Sequence, residues 1–187
     1  MDFSEQEPTD ECLVKAARGG DDGAFARLVG RHKRRVFTLA ARFARDADEL
    51  DDICQDVFIK VYDHLSAFRR EAPFEHWLTK IAVRVCHDAL RSRRHEKHHT
   101  SLDGMAVELP DCAVDSQSEV RQARQFLKYA MSRLSPDEQL IITLLELEEF
   151  SVREASAATG WSEANVKVRA HRARQALKRV VEEQDEK

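Results

Sequence analysis

The sequence predicts an all-α fold: two small helical domains joined by a flexible linker, the second containing a helix–turn–helix. Three observations carry this. Apolar residues recur at three- and four-residue spacing through nearly every segment, and no stretch alternates with the period of two that marks a strand. Charged residues make up 34% of the 187-residue chain, against 6 Gly and 4 Pro, the profile of a helix-rich globular protein. Between Thr100 and Ser118 the periodicity vanishes, and Gly, Pro and four acidic residues crowd together. The expected boundaries are a first domain over 1–95, a linker over 96–118 and a second domain over 119–187.

Thr9 is placed to cap a short first helix carrying Leu13, Val14, Ala16 and Ala17, which Gly19 and Gly20 end. A second helix follows Asp22, with Phe25, Leu28, Val29, Val36, Phe37, Leu39, Ala40 and Phe43 along one apolar face. The third runs from about Asp48 to Leu65 on a stripe of Ile53, Val57, Phe58, Val61, Tyr62 and Leu65. A loop over Ser66–Ala72 precedes Pro73, a residue suited to a first helical turn. The fourth helix carries Phe74, Trp77, Leu78, Ile81, Ala82, Val85 and Leu90, and is expected to dissolve over Arg91–His99.

The second domain starts with a helix near Glu119–Arg133. Ser135-Pro136-Asp137-Glu138 then supplies an N-cap, a proline at the first helical position and a capping-box glutamate, ahead of Ile141, Ile142, Leu144 and Leu145. Ser151-Val152-Arg153-Glu154 is a second capping box. Ala155 and Ala158 permit a close helix crossing, and Gly160 can adopt the left-handed conformation that stops a helix. Ser162 caps a last helix that buries Val166, Ala173, Leu177 and Val180 or Val181.

The formal net charge of −4 conceals a strong local contrast. Residues 1–99 carry 18 basic and 18 acidic side chains, whereas residues 161–181 carry 6 and 1. Attraction to phosphates depends on the local field, so a +5 helix in an acidic chain points to nucleic acid. The two capped helices around Gly160-Trp161-Ser162 fit a helix–turn–helix, whose second helix enters a major groove. Its candidate contacts are Lys167, Val168, His171, Arg172 and Arg174, with Lys178 further along.

No apolar run approaches the roughly 20 residues needed to cross a bilayer, and the acidic, polar start lacks signal- or transit-peptide character. The expected compartment is the cytoplasm, with Cys12, Cys54, Cys86 and Cys112 as reduced thiols in the absence of any CxxC pair. His95, His98 and His99, with Cys86 and His87 nearby, hold no fixed metal-ligand spacing and read as a basic, solvated helix end. No phosphate-binding loop, HExxH or GxSxG occurs, so the expectation is no catalytic residue, no cofactor and no small-molecule substrate.

The first half narrows the function. Asp51-Asp52-Ile53-Cys54-Gln55-Asp56-Val57-Phe58-Ile59-Lys60-Val61-Tyr62 resembles the core-polymerase-binding segment of extracytoplasmic-function sigma factors of bacterial RNA polymerase. Trp77-Leu78-Thr79-Lys80-Ile81-Ala82 with Asp88-Ala89-Leu90-Arg91 resembles their promoter-melting and −10-reading helix. Gly20-Asp21 with Ala24-Phe25 and Leu28 matches their opening helices. Leu134-Ser135-Pro136 through Leu177, including Val166-Lys167-Val168-Arg169 and Arg172-Ala173-Arg174, is similar to their −35-binding domain. The resemblance spans about residues 10–182 in order.

It implies an alternative sigma factor that directs core polymerase to specific promoters. The first domain would dock on the β′ clamp helices and the second on the β flap, with an anti-sigma protein as restraint. Asp51, Asp52, Gln55, Asp56 and Phe58 become candidate polymerase contacts, the acids complementing a basic partner helix. Phe68, Arg69, Arg70, Trp77, Lys80 and Arg84 become candidates for holding unstacked −10 bases and the displaced strand. By the same resemblance the Ser66–Ala72 loop captures a flipped base. Arg84 stands where the family commonly has Asn. Ala164-Asn165 replaces a common Gly-Thr, Val168 a usual Ser, His171 stands where an aromatic or another side chain can sit, and Leu145 lies where some relatives carry a basic contact. These departures leave the promoter sequence open.

Two other functions fit the residues alone: a stand-alone helix–turn–helix regulator acting without core polymerase, and an adaptor whose basic helix binds an acidic partner. A separate expectation is that Asp103, Glu108, Asp111 and Asp115 screen the basic helix in the free protein.

Overall fold

The computed structural model describes residues 7–99 and 118–185, side chains within 97–99, 118–122, 124 and 184–185 excepted. Within them the chain is helical and contains no strand. α1 (Asp10–Arg18), α2 (Asp22–Ala41), α3 (Ala47–His64) and α4 (Phe74–His99) form the first unit, with a 3-10 turn at Leu65–Ala67. α5 (Ser118–Ser132), α6 (Pro136–Ile142), a π-turn at Thr143–Leu147, α7 (Val152–Thr159) and α8 (Glu163–Asp185) form the second. Residues 100–117, which hold most of the expected linker and its four screening acids, lie outside the described residues.

Local chemistry sets the helix starts. The Asp21 carboxylate accepts from the Ala24 N–H at 2.9 Å, and Asp46 from that of Glu49 at 2.8 Å, each satisfying one orphan donor of a first turn. Glu49 returns the contact, accepting from the Arg45 N–H at 2.6 Å. Both serine capping boxes of the second unit are formed. Gly160 ends α7 at φ 80°, a conformation a side chain would strain.

Leu28, Val36, Phe43, Val57, Val61, Leu78, Val83 and Cys86 are almost wholly buried and form the first core. Two residues of the expected stripes are corrected: Phe37 is 50% exposed and Tyr62 is 52% exposed. Phe37 falls on the far side of α2 from Leu28 and Val36, because 100° per residue carries it out of the stripe. Tyr62 reaches only the edge of Phe25, with ring centroids 4.9 Å apart.

α4 does not dissolve at Arg91; it runs on to His99, through the first residues assigned to the linker. Leu90 is buried and Arg93 supplies the reason. The Arg93 guanidinium donates to the Phe43 carbonyl just beyond α2. Its Nε lies 3.1 Å from Glu49 Oε1, off the hydrogen-bond axis, an ion pair between side chains 14% exposed. Burial lowers the Arg93 pKa while Glu49 opposes that shift.

Burial pushes the Cys86 thiol up to about 12, with Cys54 beside it adding to the shift. A raised folded-state value means the native chain retains a proton that the unfolded chain releases. Stability from this group is full below pH 9 and is lost as pH rises toward 12. Between pH 9 and 11 the denaturation midpoint should therefore fall faster in the wild type than in Cys86→Ala. The difference in slope is bounded by about 1.4 kcal/mol per pH unit; equal slopes in urea titrations would refute it.

The second unit packs on the first. α6 and α7 lie against α4, and Leu140, Leu144 and Ala158 join the core of the first unit rather than their own. Leu134, Ile141, Ile142, Ala155, Val166, Ala170 and Ala173 form the second core. Val181, one of two alternatives for the last helix, is 43% exposed, whereas Val180 is buried.

Candidate nucleic-acid interface

The α7–α8 turn is fixed by side chains as well as by Gly160. Ser156 Oγ donates to the Trp161 carbonyl at 2.6 Å, and the Trp161 N–H donates to Thr159 Oγ1 at 3.3 Å. Ser162 Oγ accepts from the Asn165 N–H at 3.2 Å, starting α8. At the start of α7, two hydrogen bonds from Ser151 hold the Glu154 carboxyl below its usual range. Ala155, Val166 and Ala173 are completely buried, so the helices approach closely and present α8's opposite face outward.

That face carries Lys167, Val168, His171 and Arg172, all exposed; none of the three polar ones has a partner among the described residues. Their order along the helix gives phosphate-seeking charge and groove-facing surface together. Arg174 differs, because its guanidinium already makes two bonds to Glu146 Oε1, at 3.0 and 2.6 Å. Arg169, not among the candidate contacts, is engaged inward. Its Nε donates to Asn165 at 2.8 Å, it pairs with Asp137, and it stacks 4.3 Å from the centre of Trp161. Asp137 also lies 2.8 Å from His87 Nε2 on α4, and the His87 ring meets Trp161 edge-on. Leu145 packs against the second core.

The residues expected at the strand-opening site divide. Arg69, Arg70 and Arg84 are exposed, and Lys80 is half-buried. Arg70 has φ 58°, so the loop turns sharply at its basic pair. Phe68 is corrected: it is 3% exposed, locked edge-on against Phe74 at 5.6 Å and tilted on Trp77 at 5.4 Å. Its burial excludes a stacking role, since no base can reach its face. Trp77 is half-buried beside it. Beneath the loop, Arg18 donates to three carbonyls, those of Leu65, Ser66 and Phe68.

On α3, Asp51, Asp52, Gln55 and Asp56 are exposed along one flank and Phe58 is half-buried. Next to them stand Ile59, 49% exposed, and Tyr62. With Phe25, Gln55, Phe58 and Asp63 they line an open hollow of about 290 Å³. Ile59 and Tyr62 escaped the sequence reading as contacts, although two large apolar side chains beside an acidic strip are a docking signal. Of the groups set aside as metal ligands, Cys86 is buried, His87 pairs with Asp137, His95 is exposed, and the side chains of His98 and His99 lie outside the described residues.

Comparison with known proteins matches both halves. Residues 28–96 match Sigma-70 region 2, and residues 121–177 match Sigma-70, region 4. The chain is 29% identical over 181 residues to the ECF RNA polymerase sigma-E factor of Escherichia coli K12, covering 90% of this chain and 92% of that one. It is 28% identical over 175 residues to the ECF RNA polymerase sigma factor SigM of Mycobacterium tuberculosis, covering 94% and 86%. In fold it is similar to CnrH, solved in complex with the cytosolic domain of CnrY, with a TM-score of 0.62 at 24% identity over 92% of this chain and 97% of that one. It is also similar to the sigma factor RpoE of Bartonella quintana, solved with the anti-sigma factor NepR, at TM-score 0.60 and 21% identity over 84% and 96%.

Proposed function

The chain belongs to the extracytoplasmic-function sigma factors, initiation factors that direct RNA polymerase core enzyme to specific promoters, and we propose that its two units divide that task between them. The first unit docks on the β′ clamp helices through the α3 face and opens the −10 element with α4 and the Ser66–Ala72 loop. The second sits on the β flap and reads the −35 element through Lys167, Val168, His171 and Arg172. The observation that carries this is the exposed cationic face of α8, on the helix that a capped turn projects outward. Its departures from the family residues make the −35 preference this chain's own.

Arg69, Arg70, Lys80 and Arg84 supply cations for the displaced strand, and Trp77 is the one aromatic of the expected set with a solvent-facing edge. On α3 the acids steer a basic helix and the Ile59–Tyr62 hollow receives its apolar side chains. An anti-sigma protein restrains the chain by covering these surfaces, in keeping with the complex of RpoE and NepR.

The two elements are named for positions about 25 base pairs apart, roughly 85 Å at 3.4 Å per step. α7 touches α4 here, so one chain cannot span both elements in this closed arrangement. The units separate on the polymerase.

Reconstituted transcription tests the proposal. The chain should co-elute with core enzyme and yield run-off transcripts from a subset of promoters. Ile59→Asp with Tyr62→Ala should weaken core binding at least about 10-fold, as loss of an apolar anchor does, while leaving the thermal midpoint nearly unchanged. Tight, specific DNA binding without any core association would favour the stand-alone regulator instead.

A further inference from the structure

Arg18 is the last residue of α1 and sits 47 to 50 positions from its partners. Its Nε donates to the Leu65 carbonyl at 2.8 Å, and one Nη donates to those of Ser66 at 2.7 Å and Phe68 at 2.5 Å. These carbonyls lie in and just after the 3-10 turn that follows α3: that of Leu65 also accepts the Phe68 N–H at 3.3 Å, while those of Ser66 and Phe68 fall where a helix end runs out of intrahelical donors. A cation at that end is also favoured by the helix dipole. Arg18 has no carboxylate partner among the described residues, and its Nε and one Nη are both committed to backbone. The loop that follows departs from this clamp and turns at Arg70.

We infer that Arg18 is a positioning residue for the −10 loop: it holds the loop's origin so that Arg69–Ala72 present one conformation to an extruded base. The inference rests on the reading of Ser66–Ala72 as the base-capturing segment. α1 has separate anchors, since Leu13 and Val14 are buried and Asp10 pairs with Arg31 at 2.6 Å and with His32 at 2.8 Å. Losing Arg18 therefore frees the loop before it frees α1. Arginine is required because a planar fork can serve several acceptors at once, whereas a lysine ammonium is a compact point charge on a flexible stem.

Two measurements test this. In the free chain, Arg18→Gln should speed trypsin cleavage after Arg69 and Arg70 by about fivefold or more, as local opening becomes easier. Cleavage within α8 should keep its rate, and Arg18→Lys should fall between. An unchanged rate after Arg69 and Arg70 overturns the inference, whatever the chain does on polymerase.

In holoenzyme, transcription is compared on promoters differing in one −10 base, with a variant carrying a Gly-Ser segment in place of 69–72 alongside. Discrimination for one base, on the order of tenfold, should collapse in Arg18→Gln as it does in the loop replacement. A uniform loss on all promoters, with discrimination kept, would mean that Arg18 only supports the fold, and would overturn the inference. If the loop replacement itself keeps discrimination, the loop reading fails. If the loop replacement loses it and Arg18→Gln does not, only the role of Arg18 fails.

Discussion

Replacing Lys167 and Arg172 together with alanine is expected to remove −35-dependent initiation while sparing core binding. Each side chain is exposed and without a partner among the described residues, so stability should change by less than about 0.5 kcal/mol. Against DNA the expectation is opposite. A base or phosphate contact is worth about 1–3 kcal/mol, so the pair should cost on the order of a hundredfold in promoter affinity. Were both lost contacts to phosphates, the dependence of log affinity on log salt would flatten by about two units. Holoenzyme binding to a labelled promoter over a salt series measures both quantities. Arg174→Ala should do less, because Glu146 already holds that guanidinium and its release offsets part of any gain from phosphate. If the double variant binds its promoter as the wild type does, α8 is not the reading helix.

What could be read from the sequence was what neighbouring residues decide among themselves. Thr9, Ser135, Ser151 and Ser162 all sit within three residues of the N–H groups they cap, and Gly160 answers to its own backbone. Contacts across the chain were invisible. Phe68 beside two arginines resembles a stacking platform until Phe74 and Trp77 are folded onto it. The charged run after Leu90 resembles a frayed end until Arg93 finds Glu49 and the Phe43 carbonyl. The free face of α8 was legible because charge and periodicity mark it directly. Ile59 and Tyr62 were hidden by the pattern that should have exposed them: on α3 they extend an apolar stripe, and only the packed structure shows which apolar residues stay exposed. The π-turn after Ile142 buries Thr143 with its hydroxyl unpaired, and no local signal announces it.

The closed arrangement carries the second large expectation, that Ala158→Glu will separate the two units without unfolding either. Ala158 is 3% exposed, and it packs with the core of the first unit, whereas Ala155, three residues earlier on α7, packs with the second. A glutamate there places a carboxylate in the apolar seam between α7 and α4, where an unpaired charge costs several kcal/mol. Separation relieves that cost by returning the side chain to water. The polar contacts across the seam cannot resist it. His87 and Asp137 are 17% and 32% exposed, and the Arg42–Glu148 pair at 3.1 Å is more open on the arginine side. Pairs of this kind contribute about 1 kcal/mol or less each. Small-angle scattering should therefore show a larger radius of gyration with helix content retained. Asp137→Asn should enlarge the radius of gyration by a smaller amount, since it removes the charge contact with His87 and leaves Leu140, Leu144 and Ala158 packed. An Ala158→Glu chain that scatters like the wild type would show that the seam does not hold the units together in solution.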